Sequence, residues 1–307
     1  DFKVYLNVNS VKYSSTMFAR RVFELLACGT PVISNYSKGI VEMLGEGTVF
    51  ISESEEDTRK YLEKLLGDPW YWWKCSLHGM RTVLEHHTYM DRTEDIFRIT
   101  GHPFTRPAPP SFTIIAEIGN RQEADYILEL SEKQFFKPAG IIILISGEED
   151  QFRELSSIKT SFPVKLVQES SFETHEGLSG SISSSHIAIF NPSDYYGINY
   201  LRDYALAILY ADPDIMGRKG YPELSADGRS VVAIPDTEFR FTEAVVTSSL
   251  VFKWSASKQT ELKKILAAKN GSFSASGILS LDPFNFLVDG KAIYMRDKST
   301  AESLLSI

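Results

Sequence analysis

The sequence predicts an α/β protein with two units, each built on a mostly parallel β-sheet. Short apolar runs alternate with amphipathic stretches along the chain, and this alternation is typical of strands and helices in open parallel sheets. Apolar runs such as "GIIILIS" are continuous, as expected for strands that are covered on both faces. A segment with four prolines, "TGHPFTRPAPPS", interrupts the pattern at residues 100–111.

This proline segment predicts a domain boundary. Its prolines exclude a regular helix and favour an extended, semi-rigid connector. We therefore expect a first domain at residues 1–101, a linker at 102–110 and a second domain at 111–307.

The composition restricts the class of protein. The 307 residues are 43% apolar, which supports packed cores, and the net charge of −8 argues against nucleic acid as a partner.

Cys28 and Cys75 lack metal-like spacing, which predicts reduced thiols in a cytoplasmic protein. No apolar run is long enough to predict a membrane span, although peripheral membrane association stays open. The chain starts inside a predicted strand, which indicates a piece of a larger polypeptide.

The first unit is predicted to contain three strands among its helices. The strands are "FKVYLNVN", "PVIS" and "TVFIS". Apolar positions in "MFARRVFELLAC" recur at helical spacing, with Thr16 as the predicted cap at its start and Gly29 at its end. Ser54 opens the helix "SEEDTRKYLEKLL", and further helices are predicted at Trp70–Glu85 and Tyr89–Ile99.

The second unit repeats the alternation. Its predicted strands are "FTIIAEI", "GIIILIS", "PVKLVQE" and "HIAIF", and its predicted helices are "RQEADYILELSEKQF", "EEDQFRELSSI", "THEGLSGSISSS" with Thr174 as cap, and "GINYLRDYALAILYA". Open sheets of this type bind ligands at the carboxyl ends of their strands. We therefore expect a site among "EIGNR", "ISGEED" and "FNPSD".

The first unit resembles a known family of enzymes. The stretch "SVKYSSTMFARRVFELLACGTPVISNYSKGIVEMLG", followed by "HHTYMDRTEDIF", is similar to the C-terminal end of GT-B glycosyltransferases of the spore-maturation type. The resemblance implies that Glu24 contacts the ribose of the donor and that the loop with Ser37, Lys38 and Gly39 lies near its diphosphate. Many relatives carry a second glutamate where this chain has Thr16, so that two-glutamate pattern is incomplete.

The second unit resembles GT-A glycosyltransferases of family two, from "FTIIAEIGNRQEADYILELSEKQFF" through "FNPSDYYGINYL" to "LDPFNFL". This resemblance implies that Asn120 and Arg121 lie close to the nucleotide. It also implies a catalytic base ahead of the final helix, for which Glu261 and Asp282 are the candidates. The second strand of relatives ends in an aspartate that helps to hold the base, where this chain has Ser146.

The turn "FNPSDYYGINYL" departs from the family pattern in its charges. Relatives have a run of aspartates for a divalent metal, whereas here Asp194 is the remaining carboxylate. Magnesium or manganese prefers several oxygen ligands, so Asp194 alone predicts weakened metal binding. A structural turn is the alternative, with Asp194 as a cap of the helix near Ile198 and with Tyr195 and Tyr196 as packing residues.

Together these resemblances imply a partial GT-B Rossmann-like lobe followed by a GT-A domain with a mostly parallel sheet. The implied activity is transfer of a hexose from a nucleotide-sugar donor to a cell-surface or spore-surface glycan. The partners would be the donor, the glycan acceptor, and the remainder of a larger polypeptide or another glycosyltransferase domain. The alternative is an inactive glycosyltransferase fold that serves as a scaffold or a glycan-binding module, which the missing acidic residues favour.

Overall fold

The computed structural model describes residues 2–145, 155, 160–168, 182–236, 238–255, 257, 259–268 and 271–307. Contacts divide the chain into two compact units, Asp1–Ala108 and Pro109–Ile307. Their junction falls inside the proline-rich segment. Most of the predicted helix "EEDQFRELSSI" and the start of "THEGLSGSISSS", including Thr174, lie outside the described residues.

The first unit combines short parallel strands with longer helices. In chain order its elements are β1 (Tyr5–Asn7), α1 (Arg21–Ala27), β2 (Val32–Asn35), α2 (Lys38–Leu44), β3 (Phe50–Ser52), α3 (Glu55–Gly67), α4 (Pro69–His86) and α5 (Tyr89–Thr100). Within the described residues, the strands form a three-stranded sheet in the order β1-β2-β3. Both pairings are parallel, as the alternation predicted.

The start of α1 differs from the prediction. Thr16 does not cap this helix, which begins at Arg21. The Ser14 hydroxyl instead accepts hydrogen bonds from the backbone N–H groups of Thr16 and Met17, at 3.3 and 3.2 Å. Such a side-chain turn competes with helical hydrogen bonding, so the segment before Arg21 stays non-helical. The predicted helix end is correct, because Gly29 follows α1 with a φ of +73°.

The second unit contains the larger sheet. Its strands are β4 (Phe112–Ile118), β5 (Gly140–Ile145), β6 (Val164–Gln168), β7 (His186–Phe190), β8 (Tyr195–Tyr196), β9 (Ile215–Gly217), β10 (Glu223–Leu224), β11 (Val231–Ala233), β12 (Arg240–Val246), β13 (Val251–Lys253), β14 (Ser272–Ser280) and β15 (Phe286–Leu287). Among the described residues, eight of them form one sheet in the order β12-β14-β9-β13-β7-β4-β5-β6. The block β7-β4-β5-β6 is parallel throughout, as predicted.

Helices cover both faces of this sheet. They are α6 (Arg121–Lys133), α7 (Tyr200–Ala211), α8 (Gln259–Ala267), α9 (Lys291–Arg296) and α10 (Lys298–Leu305). One hydrophobic cluster joins alternate residues of β4, β5 and β7 to α6, α7, α9 and α10. The residues between them on the same strands pack against α8 in a second cluster. The continuous apolar runs of the sequence therefore reflect burial on both faces.

A glycine at the end of β9 tests this packing. A Cβ on Gly217 would lie 2.6 Å from Cγ2 and 2.9 Å from Cβ of Val245. Val245 is buried and β-branched, so its side chain has little freedom to move away. We expect Gly217→Ala to lower the free energy of unfolding by about 1–3 kcal/mol in chemical denaturation.

Gly119→Ala is the matched control in the same unit. The nearest atom to its added Cβ would be a Glu123 carboxylate oxygen at 3.6 Å, an ordinary contact. Equal stability of both variants would show that the β9–β12 packing is looser than described.

Candidate functional site

The candidate site of the second unit is built on the turn that follows β7. The backbone N–H of Asp194 donates to the Asn191 carbonyl at 3.0 Å, which closes the turn. The Asn191 side-chain oxygen accepts from the N–H of Ser193 at 2.8 Å. Asn and Pro are favoured residues in such turns, so the sequence "NPSD" determines its own local geometry.

The carboxylate of Asp194 is directed into the protein. Asp194 is only 2% exposed. Its Oδ1 accepts from the backbone N–H of Asp289 at 2.9 Å, and its Oδ2 accepts from the Ser248 hydroxyl. The Asp194 carbonyl oxygen accepts from the hydroxyl of buried Tyr126 at 2.8 Å. Asp194 therefore ties its turn to three segments that are distant in sequence.

Tyr196 closes the same network from the other side. Its hydroxyl donates to the Ser248 carbonyl at 3.0 Å and accepts from the Asn191 N–H at 2.7 Å. Its ring stacks on Phe190 with a centroid distance of 3.8 Å. Burial raises the pKa of Tyr196 well above its usual value, so the hydroxyl stays protonated and able to donate.

We refer to Asn191, Asp194, Tyr196, Ser248 and Asp289 as the turn lock. Tyr195 and Tyr196 are both buried, which confirms the prediction that they are packing residues. The interpretation of Asp194 as a helix cap is wrong, because α7 begins at Tyr200 with Asn199 at the cap position.

The turn lock determines the ionisation of Asp194. Burial raises the pKa of this carboxyl group, while the hydrogen bonds from Ser248 and from the Asp289 backbone lower it. Burial is the larger effect, so the pKa lies above the usual value. A buried carboxylate is destabilised relative to one in water unless donors compensate it, and here two donors do so in part.

This arrangement does not fit a divalent-metal centre. A hard cation needs several oxygen ligands, whereas both oxygens of Asp194 already accept protein hydrogen bonds. Across the described ranges, no group of three or more His, Cys, Asp or Glu side chains could hold a metal ion. The role of Asp194 as a metal ligand stays a prediction from resemblance that the geometry does not support.

A cavity of about 190 Å³ lies beside the turn lock. Its lining comes from the carboxyl ends of β4 and β7, the turn after β7, the short 3-10 helix Thr247–Ser249 and the end of α8. The lining residues are Glu117, Ile189, Phe190, Asn191, Pro192, Thr247, Ser248, Ile265 and Leu266.

Sequence reasoning missed Glu117, Thr247 and Ser248. The available signal for Glu117 was a single charged residue inside the apolar strand "FTIIAEI".

Asn120 and Arg121 lie at the carboxyl edge of the same sheet, just after β4. Asn120 is the N-cap of α6, and its side-chain oxygen accepts from the Glu123 N–H at 3.0 Å. Arg121 forms an ion pair with Asp125 at 2.8 Å on the first turn of α6. Both positions therefore have helix-stabilising contacts, and their nucleotide-binding role stays a prediction.

The two candidates for a catalytic base have different positions. Asp282 is 1% exposed and lies 3.6 Å from the guanidinium of Arg218, which is itself fully buried. Its Oδ1 also accepts from the N–H of Phe284 at 2.9 Å. A base must reach the proton that it removes, so these contacts favour a structural role for Asp282. Glu261 lies in α8, but its side chain is outside the described residues, as is Ser146.

In the first unit, two predicted donor-binding side chains form surface ion pairs. Glu24 in α1 pairs with Arg20 at 2.8 Å, and its side chain is 55% exposed. Lys38 is the first residue of α2 and lies 3.6 Å from Glu42. Exposed pairs of this kind contribute only about 0–1 kcal/mol to stability, so stability does not require either residue.

Gly39 has a packing explanation. A Cβ at this position would lie 2.9 Å from the Phe18 ring and 3.0 Å from the Ser15 carbonyl oxygen. The residues before α1 therefore approach α2 closely only because position 39 is glycine. Its predicted place near a diphosphate stays untested.

Sequence reasoning also missed a buried polar network at the carboxyl ends of β1 and β2. The amide nitrogens of Asn7 and Asn9 both donate to the Ser34 hydroxyl, at 3.0 and 2.9 Å. Arg21 donates to the Asn7 side-chain oxygen at 3.1 Å, so the network reaches the start of α1. Buried polar groups need such partners, and these bonds fix the loops at this edge of the sheet.

The first unit matches a known protein family. Residues 1–98 match a family described as "Glycosyl transferase-like". This match confirms that the first unit resembles glycosyltransferases. A comparison with curated proteins found no match.

Solved structures give only distant likenesses. TarS 1-349 of S. aureus is 17% identical, with a TM-score of 0.37 over 62% of this chain and 64% of that one. The mannosyltransferase PcManGT from Pyrobaculum calidifontis, in complex with GDP-Man and Mn2+, is 13% identical, with a TM-score of 0.33 over 63% of this chain and 61% of that one. HddC from Yersinia pseudotuberculosis is 14% identical, with a TM-score of 0.34 over 63% of this chain and 99% of that one. The chain spans less than two thirds of the TarS and PcManGT structures, and TM-scores this low carry no inference about its function.

Removing the Ser248 hydroxyl tests the turn lock. Ser248→Ala leaves a buried carboxylate oxygen of Asp194 without its side-chain donor, so we expect a loss of about 1–3 kcal/mol in the free energy of unfolding. Ser299→Ala, at an exposed serine of α10, serves as the control and should stay within about 0.5 kcal/mol of the wild type. A Ser248→Ala protein as stable as this control would refute the Asp194–Ser248 contact.

The raised pKa of Asp194 predicts a pH effect. The folded protein binds the Asp194 proton at a higher pH than the unfolded chain, whose aspartate titrates near 3.8. Protonation therefore favours the folded state, and stability falls as pH rises from 3.8 through the folded-state pKa. We expect the stability advantage of the wild type over Asp194→Asn to grow as the pH is lowered through this range. Urea denaturation of both proteins at several pH values measures it, and a constant or shrinking difference would contradict the burial of this carboxyl group.

Proposed function

We propose that the chain is a glycosyltransferase that transfers a sugar from a nucleotide-sugar donor to a glycan acceptor. The observation that carries this proposal is the family match over residues 1–98. That match does not favour the alternative of an inactive scaffold or glycan-binding module.

The second unit supports the proposal through its architecture. Its parallel strands end beside a cavity, and ligands of open α/β sheets bind at this edge. We assign residues 1–101 to a partial GT-B donor-binding lobe, 102–110 to a linker and 111–307 to a GT-A-like domain. These assignments rest on the resemblance of the sequence motifs.

The proposed roles follow the charge that each ligand group carries. Arg121 in the second unit and Lys38 in the first are cations that suit a diphosphate, because charge-assisted hydrogen bonds to phosphate are strong. Glu24 would accept hydrogen bonds from ribose hydroxyls. Glu261 is the proposed general base that deprotonates the acceptor hydroxyl in an inverting transfer, in preference to the ion-paired Asp282.

The finer assignments extend this proposal. We propose a hexosyl donor, a cell-surface or spore-surface glycan as acceptor, and a cytoplasmic location. Within the part of the chain that the structure describes, no helix has the length and apolar character needed to cross a membrane.

Nucleotide binding tests the proposed function. The chain should bind at least one nucleoside diphosphate below millimolar concentration in isothermal titration calorimetry, and should slowly hydrolyse the matching nucleotide sugar. Arg121→Ala should weaken diphosphate binding roughly tenfold, since a hydrogen bond to a charged group contributes about 1.5–3 kcal/mol.

Arg240→Ala provides the control for Arg121. Arg240 also has an i,i+4 acidic partner, Asp236 at 3.4 Å, but it lies in β12, which four strands separate from β4 in the sheet. If no nucleoside diphosphate binds at millimolar concentration, with either Mn2+ or a chelator present, the transferase proposal fails.

A further inference from the structure

A hollow of about 450 Å³ opens beside the carboxyl end of β1 in the first unit. Two loop segments line it together with Arg21, namely residues 8–11 after β1 and residues 16–19 before α1. Volumes of about 300–1,000 Å³ are usual for sites that bind small molecules. The hollow is therefore large enough for such a ligand, and it lies at the strand ends where open α/β sheets bind their ligands.

The side chain of Arg21 is anchored from inside the protein. Its Nε donates to the Asn7 side-chain oxygen at 3.1 Å. Asn7 is 2% exposed, and its amide nitrogen donates to the Ser34 hydroxyl at 3.0 Å and to the Asn9 side-chain oxygen at 3.2 Å. A long side chain normally loses rotamer freedom when it binds a ligand. The bond to buried Asn7 already restricts that freedom, so Arg21 is pre-organised for binding.

The two terminal nitrogens of Arg21 stay available for a ligand. Arg21 is exposed, and among the described residues its side chain forms no ion pair and no hydrogen bond besides the one to Asn7. The adjacent Arg20 differs, because it pairs with Glu24 at 2.8 Å. The N–H groups of a guanidinium match the oxygens of a phosphate in paired hydrogen bonds. Arg21 therefore presents a fixed cationic fork at the hollow.

The loop segments add apolar surface and hydroxyl groups to the lining. Val8 is 73% exposed and Met17 is 60% exposed, so both present apolar surface that a ligand can cover. Ser10 and Thr16 are also exposed and supply hydroxyl groups. Covering apolar surface favours binding. The hollow thus favours an anion that carries an organic group over a bare inorganic anion.

The loop proposed to lie near the donor diphosphate is adjacent to both lining segments. The backbone N–H of Lys38 donates to the carbonyl of Lys12, the residue after the first segment, at 2.8 Å. Phe18 of the second segment packs so close to Gly39 that a Cβ on Gly39 would lie 2.9 Å from its ring. These contacts connect the hollow to the proposed donor-binding residues of the first unit.

We propose that this hollow binds the diphosphate of a nucleotide sugar and that Arg21 is its anchored ligand. The inference rests on the proposed function and deepens it, because it adds a phosphate-binding residue to the first unit. The organic part of the nucleotide covers Val8 and Met17.

Calorimetric titration of the whole chain with UDP, GDP, ADP and CDP tests the inference. For at least one of them, Arg21→Ala should weaken binding roughly tenfold, the loss expected when hydrogen bonds to a charged group are removed. Arg21→Lys keeps the charge but lacks the Nε–H that Asn7 anchors, so it should restore only part of the affinity. The same nucleotide should bind more tightly than inorganic pyrophosphate, because pyrophosphate leaves Val8 and Met17 uncovered.

Arg59→Ala is the matched control. Arg59 is an exposed arginine of α3 in the same unit and pairs with Glu55 at 3.2 Å, so its variant should keep the nucleotide affinity of the wild type. Thermal unfolding confirms that each variant is folded.

Three results would overturn parts of the inference and leave the transferase proposal standing. Wild-type affinity of Arg21→Ala for every nucleotide that the chain binds would remove Arg21 from the site. Full wild-type affinity in Arg21→Lys would refute the role of the anchored fork. Tighter binding of pyrophosphate than of any nucleotide would refute the nucleotide assignment. Failure of every nucleotide to bind would overturn both proposals.

Discussion

The hydrogen bonds to the Asp194 carboxylate are the constraint on which the candidate site depends. Ser248 and the Asp289 backbone each donate to one of its oxygens, across sequence separations of 54 and 95 residues. Through these bonds the turn after β7, the 3-10 helix before β13 and the segment before α9 hold one arrangement. A buried carboxylate is destabilised when it loses a hydrogen-bond donor. These contacts therefore favour one arrangement of the three segments over any other.

This constraint shapes the chemistry of the neighbouring cavity. Asn191, Pro192, Thr247 and Ser248 belong to segments that the turn lock holds in place, and they form part of the cavity lining. Ser248 directs its hydroxyl towards Asp194, and Glu117 is a charged residue of the lining. Both oxygens of the Asp194 carboxylate thus accept hydrogen bonds from within the protein.

The sequence was sufficient for the features that depend on local pattern. Continuous apolar runs predicted β4, β5 and β7, and turn chemistry predicted the bend at Asn191. The direction of the Asp194 carboxylate was not predictable, because Ser248 and Asp289 come from remote parts of the chain. The start of α1 was mispredicted for a different reason, since the Ser14 hydroxyl offered the backbone an alternative partner. Glu117 was missed because the apolar character of its strand dominated the pattern.

The most direct test of this account is the thermal stability of Asp194→Ala in the presence of a chelator and then of Mn2+. If Asp194 is a structural acceptor, the variant should melt roughly 4 °C or more below the wild type in the chelator, because the buried Ser248 hydroxyl and the Asp289 N–H lose their partner. Addition of Mn2+ should leave that difference unchanged. Equal melting temperatures in the chelator, together with a Mn2+ stabilisation that only the wild type shows, would identify Asp194 as a metal ligand and contradict the account.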